Sequence, residues 1–195
     1  PEQLFAPEQV TALKPPPTTS QTIYQATPFV GRGRELEEIT RLLAQPDCHL
    51  LTLLGLGGIG KTRLAQQMLS RMRPEYQDGV YFVSLAAIPS ADLLVPTLAE
   101  TFQFSPSPGE EYRTAFWHFL AGKHLLLILD NFEHLLDRCT VLKDILQHAP
   151  DVRLLVTSRE RLRLEEEWIY EGPRVRLLRS SQRSSDHLGV DVAIL

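Results

Sequence analysis

Gly55-Leu56-Gly57-Gly58-Ile59-Gly60-Lys61-Thr62 fits the pattern GxxxxGK[ST] at every fixed position. The residue types follow from what such a loop must do. Glycines let the chain turn tightly, so that successive amide N–H groups converge on one anion. A helix that starts where the loop ends points its positive N-terminus at the same anion. A lysine at position 61 can reach β- and γ-phosphates, and the Thr62 hydroxyl can ligate Mg²⁺. The candidate phosphate-binding residues are therefore Gly55, Gly57, Gly58, Ile59, Gly60, Lys61, Thr62 and Arg63.

The pattern carries meaning only between a strand and a helix, and the flanking sequence predicts both. His49–Leu54 (HLLTLL) is short and nearly all apolar, as expected of a strand covered on both faces. Thr62–Arg73 places Leu64, Ala65, Met68, Leu69 and Met72 along one helical stripe. Further out, Gly79–Leu85, Leu125–Leu129 and Arg153–Ser158 read as buried strands, with Trp168–Tyr170 as a short fifth. Helices are predicted over Glu35–Ala44, Ala91–Phe104, Glu111–Ala121 and Leu135–Gln147, with Phe116 and Trp117 as core residues of theirs. Strands alternating with helices point to an α/β fold: a three-layer sandwich around a mostly parallel sheet of about five strands.

A nucleotide-binding loop of this kind needs an acid from another buried strand to hold the hydrated Mg²⁺. Asp130 directly follows Leu125–Leu129, at the sheet's carboxyl edge where ligands bind in open α/β folds. Capping of the next helix is the plainer role for the same residue. The metal candidates are thus Thr62 and Asp130. Hydrolysis also needs a group that orients or deprotonates water. The residue beside Asp130 is Asn131, whose amide can position water but cannot take its proton; Glu133 and His134 are the nearby substitutes. Slow hydrolysis is the expectation. Arg159, after the fourth strand, is suited to bidentate contact with a γ-phosphate, and is equally one of three surface arginines with Arg161 and Arg163. Val30, Gly31 and Arg32 precede the first helix, where they either let the backbone approach a base or form part of a hydrophobic staple.

Composition limits the remaining possibilities. The chain has 195 residues, 20 Lys+Arg against 24 Asp+Glu, and so a net charge of −4 with no global field for nucleic acid or acidic lipid. Direct nucleic-acid contact is not expected. Cys48 and Cys139 lack CxxC spacing, and the longest aliphatic run is far short of the roughly 20 residues that span a membrane. A reducing, cytoplasmic setting is the plain reading. Residues 1–27, with Pro15-Pro16-Pro17, read as a proline-rich linker; 28–172 as the nucleotide-binding domain; and 173–195 as a truncated or disordered tail. The start at Pro1 without methionine suggests a piece of something longer.

Four ordered segments now stand out: Phe29–Leu36 (FVGRGREL), Leu51–Ala65 (LTLLGLGGIGKTRLA), Leu125–Leu136 (LLLILDNFEHLL) and Leu154–Leu164 (LLVTSRERLRL). Together they resemble the signal-transduction ATPases with numerous domains (STAND NTPases), the group that includes NB-ARC proteins. The likeness is strongest to the bacterial branch found in large transcriptional regulators, and it covers about residues 28–170. It implies an ASCE-type P-loop sheet, with the Asp130 strand between those of the P-loop and of residues 80–85 in chain order. It also implies adenine contacts from Val30, Gly31 and Arg32, a sensor role for Arg159, and cycling between an ADP-bound closed state and an ATP-bound state that oligomerises. Other domains of a parent chain would be its partners, and ATP or ADP with Mg²⁺ its cofactors. Asn131 stands where the plant-type motif has a second acid. The alternatives are a catalytically active P-loop phosphotransferase and a degenerate scaffold fragment.

Overall fold

A computed structural model describes residues 31–172. The expected linker over 1–27, the expected tail over 173–195 and Val30 lie outside the described residues. Five strands form a single parallel sheet: β1 (Leu50–Leu54), β2 (Val80–Ser84), β3 (Leu126–Asp130), β4 (Arg153–Ser158) and β5 (Glu167–Tyr170), in the order β2-β3-β4-β1-β5. The helices are α1 (Gly33–Leu43), α2 (Lys61–Met72), α3 (Leu94–Thr101), α4 (Tyr112–Leu120) and α5 (Thr140–His148).

Side-chain alternation along the strands divides the core into two layers. In β3, Leu126 and Ile128 pack with α1 and α2, while Leu127 and Leu129 pack with α3, α4 and α5. In β4, Leu155 joins the first set, and Leu154 and Val156 the second. A strand buried on both faces is apolar at nearly every position, which is why Leu126–Leu129 of β3 read as an unbroken apolar run rather than an alternation. The result is the expected three-layer sandwich. Among the described residues, no helix is long and apolar enough to cross a membrane.

Four expectations change in detail. Asp130 does not follow its strand but is the last residue of β3, and it is only 2% exposed. The Asp130 strand follows both the P-loop strand and β2 in the chain, and it is in the sheet that it lies between them, with β4 separating it from β1. The helix predicted over Leu135–Gln147 is two elements, a 3₁₀ segment Phe132–Arg138 and then α5. A 3₁₀ turn eclipses residues three apart, which puts Phe132 and Leu135 together in the core, while Arg138 at the end of the segment is exposed and pairs with Asp92. Likewise Ala91–Phe104 divides into a 3₁₀ turn Ala91–Leu93 and α3. Pro96 then falls in the first turn of α3, where a missing N–H costs nothing.

Candidate functional site

All five strands run the same way, so their carboxyl ends share one edge. Leu54 pairs with Ser158 and Ser84 with Asp130 at that edge. The loop Gly55–Gly60 leaves β1 there and delivers the chain into α2 at Lys61. Gly60 is the residue before the helix, at φ +90° and ψ +22°, a left-handed conformation that a side chain adopts only at a cost. Its position is also crowded, since a Cβ there would lie 3.2 Å from Nη1 of Arg32.

Two arginines flank the loop. Arg32 donates from Nη2 to the Ile59 carbonyl at 2.6 Å and pairs loosely with Glu35. On the other side Arg159 lies against Gly57, where a Cβ would sit 3.4 Å from its Cζ. Its Nε is held at 2.9 Å by Oε1 of Glu133. The other carboxylate oxygen of Glu133 is buried with no hydrogen-bond partner among the described residues. The Lys61 ammonium curls back into the loop and donates to the carbonyls of Gly55 (2.6 Å) and Leu56 (3.0 Å). Burial lowers the pKa of Lys61, Arg159 pushes it the same way, and Glu133 and Asp130 oppose the shift.

Beneath the loop, Thr62 Oγ1 donates to Asp130, 2.9 Å from Oδ1 and 3.1 Å from Oδ2. Asp130 takes a second hydroxyl, from Thr157 to Oδ1 at 2.6 Å. A buried carboxylate held by two hydroxyls, with no ion-pair partner among the described residues, is suited to a cation. No cluster of three or more acidic, histidine or cysteine residues stands among the described residues to hold a metal outright. That fits Mg²⁺, which keeps several waters and takes one or two protein ligands together with phosphate oxygens. Asn131 adopts φ +64°, and Arg63 is half-buried on the first turn of α2. His134 points instead to the Ile88 carbonyl, at 3.0 Å.

A cleft of ≈ 150 Å³ opens beside the loop, lined by Arg32, Glu35, Ile59, Lys61, Tyr170 and Gly172 among others. The Tyr170 hydroxyl donates to Glu38 Oε2 at 3.1 Å, and burial pushes the phenol's pKa up. Of the two described residues ahead of α1, Gly31 is exposed and Arg32 reaches the loop. Sequence reasoning did not single out Thr157, Glu35 or Tyr170. Only the position of Thr157 and Tyr170 at strand ends could have indicated them.

Comparison with known families matches residues 45–164 to the AAA domain. The chain belongs to the AAA domain family. It is 38% identical over 133 residues to a candidate HTH-type transcriptional regulator of Mycobacterium tuberculosis, a match covering 68% of this chain and 15% of that protein. Regulatory protein AfsR of Streptomyces griseus is 28% identical over 145 residues, 69% of this chain and 14% of AfsR. Among solved structures, Cdc6p from Pyrobaculum aerophilum aligns with a TM-score of 0.56 at 15% identity, covering 71% of this chain and 41% of that one. That likeness establishes the AAA-type P-loop fold. The domain spans about 15% of the length of the first curated relatives it matches.

Proposed function

We propose that this AAA domain is an ATP/ADP-binding regulatory switch of the STAND type, working with Mg²⁺ and slow hydrolysis inside a larger transcriptional regulator. The observation that carries the reading is the contact of Thr62 with the buried Asp130 beneath the loop. Those two groups would share a hydrated Mg²⁺, Lys61 would leave its loop carbonyls for the phosphates, and the cleft between Arg32 and Tyr170 would take the base. Arg159 would exchange Glu133 for a γ-phosphate oxygen, so that ATP and ADP leave the loop's flank in different arrangements. Neighbouring domains of the parent chain, and an ATP-dependent second copy, are the partners this reading implies, in a cytoplasmic setting.

Calorimetric titration of Mg·ATP and Mg·ADP against the wild type and Lys61→Ala tests it. Loss of the charged donor is expected to weaken both nucleotides by roughly 10- to 100-fold. Wild-type protein that binds neither nucleotide would leave the scaffold reading instead. Fast multiple turnover would favour an enzyme.

A further inference from the structure

Thr157 occupies a place that neither the loop nor its metal acid explains. Its side chain is fully buried at the end of β4, the strand inserted between that of Asp130 and that of the loop. Its Oγ1 accepts the Asn131 backbone N–H at 3.0 Å. A hydroxyl that accepts from an amide has one proton left to give, and this one is directed to Asp130 Oδ1 at 2.6 Å. That distance belongs to the short, charge-assisted class. Among the described residues, Oδ1 is therefore engaged by two hydroxyls, whereas Oδ2 has a single contact, the longer 3.1 Å one from Thr62.

We infer that Thr157 is a positioning residue for the metal: it pins Oδ1 so that Oδ2 of Asp130 is presented to a hydrated divalent cation under the phosphate loop. The inference rests on the reading of Thr62 and Asp130 as a Mg²⁺ site. The hydroxyl touches neither phosphate nor metal itself. It fixes the rotation of the carboxylate, and through the Asn131 amide it fixes the left-handed turn (φ +64°) that ends β3. Without the hydroxyl, the carboxylate is free to turn Oδ1 toward Thr62 alone, and the cation loses a preset ligand.

The readout is the gain in ADP affinity that Mg²⁺ confers, measured by calorimetry in EDTA and in MgCl₂. Thr157→Val keeps the shape and removes the hydroxyl, and Thr157→Ser keeps the hydroxyl. Metal-free ADP affinity is expected to be the same in wild type and both variants. The Mg²⁺-dependent gain is expected to fall about tenfold in Thr157→Val, the scale of one hydrogen bond to a charged group, and to persist in Thr157→Ser. A Thr157→Val protein that keeps the wild-type gain overturns the inference. So does one that loses metal-free and Mg²⁺-bound affinity equally, because that is the mark of a purely structural threonine. Should circular dichroism show Thr157→Val unfolded, Thr157→Ala against Thr157→Ser gives the same contrast. Wild-type protein with no Mg²⁺-dependent gain would overturn the metal site itself, an outcome distinct from failure of Thr157 alone.

Discussion

Replacing Glu133 by glutamine should make the domain bind ATP more tightly and leave ADP unchanged. The Glu133 carboxylate holds Arg159 at 2.9 Å, beside Gly57 of the loop, where a γ-phosphate would compete for the same guanidinium. The arginine side chain is 63% exposed and the glutamate 21%. Solvent therefore screens the pair, and its worth belongs to the range of about 0.5–1 kcal/mol. That cost is met by any ligand that draws Arg159 away, so removing it corresponds to a gain of about 2- to 5-fold in affinity. ADP has no γ-phosphate and gains nothing. The assay is calorimetry with a non-hydrolysable ATP analogue and with ADP, at low salt, where a partly exposed ion pair is least screened. In an Arg159→Ala background the effect of Glu133→Gln should vanish, as a double-mutant cycle requires. If Glu133→Gln weakens the ATP analogue, or shifts both nucleotides equally, Glu133 is not a competitor for Arg159. Its partnerless buried oxygen would then be the more important atom.

Gly58→Ala tests the backbone alone, because a Cβ there meets open space while φ is +81°; thermal unfolding should show a loss of about 1–2 kcal/mol. The two thiols should differ in reactivity: burial pushes the pKa of Cys48 up to about 12, while Cys139 is half-exposed. Iodoacetamide at about pH 8 should therefore label Cys139 first and reach Cys48 only on denaturation, followed by mass spectrometry. Asn131→Gly removes the side-chain amide and suits the left-handed turn, so single-turnover hydrolysis should keep the wild-type rate; a tenfold drop, about 1.4 kcal/mol, would assign the water to that amide.

The sheet was legible because its strands are uniformly apolar and the loop pattern is specific. His49–Leu54 and Leu125–Leu129 could be strands for no other reason than length and unbroken hydrophobicity, and the structure shortens or shifts them by a residue or so. What sequence could not show lies in angles and partners. Asn131 is unremarkable as a letter, but its left-handed φ turns the chain into a 3₁₀ segment, which broke the expected helix. Leu135, Leu136, Leu142, Ile145 and Leu146 look like one stripe, yet the first two belong to a different element from the last three. The pairing of Arg159 with Glu133 joins residues 26 apart, and that of Arg32 with Ile59 residues 27 apart. No periodicity encodes such contacts. The first depends on β4 entering the sheet next to β3, a matter of topology.

That topology explains why three consecutive residues matter together. Thr157 holds the carboxylate of Asp130, the Ser158 carbonyl accepts the Gly55 N–H at 3.3 Å, and Arg159 lies against Gly57. One strand end therefore touches the buried Asp130 carboxylate, the first amide of the loop and the loop's flank. Ser158 is fully buried and its hydroxyl accepts the Glu160 N–H at 3.1 Å, which fixes the turn that carries Arg159 outward. A change of partner at Arg159 would pull on a segment whose two preceding residues, Ser158 and Thr157, are hydrogen-bonded to the loop and to Asp130. Packed strands do not deform continuously, so on the proposed reading such a pull would favour one of two arrangements over a graded response. On the proposed reading, coupling between a γ-phosphate at Arg159 and a metal at Asp130 would need no long path, because Thr157 and Arg159 are separated by a single residue.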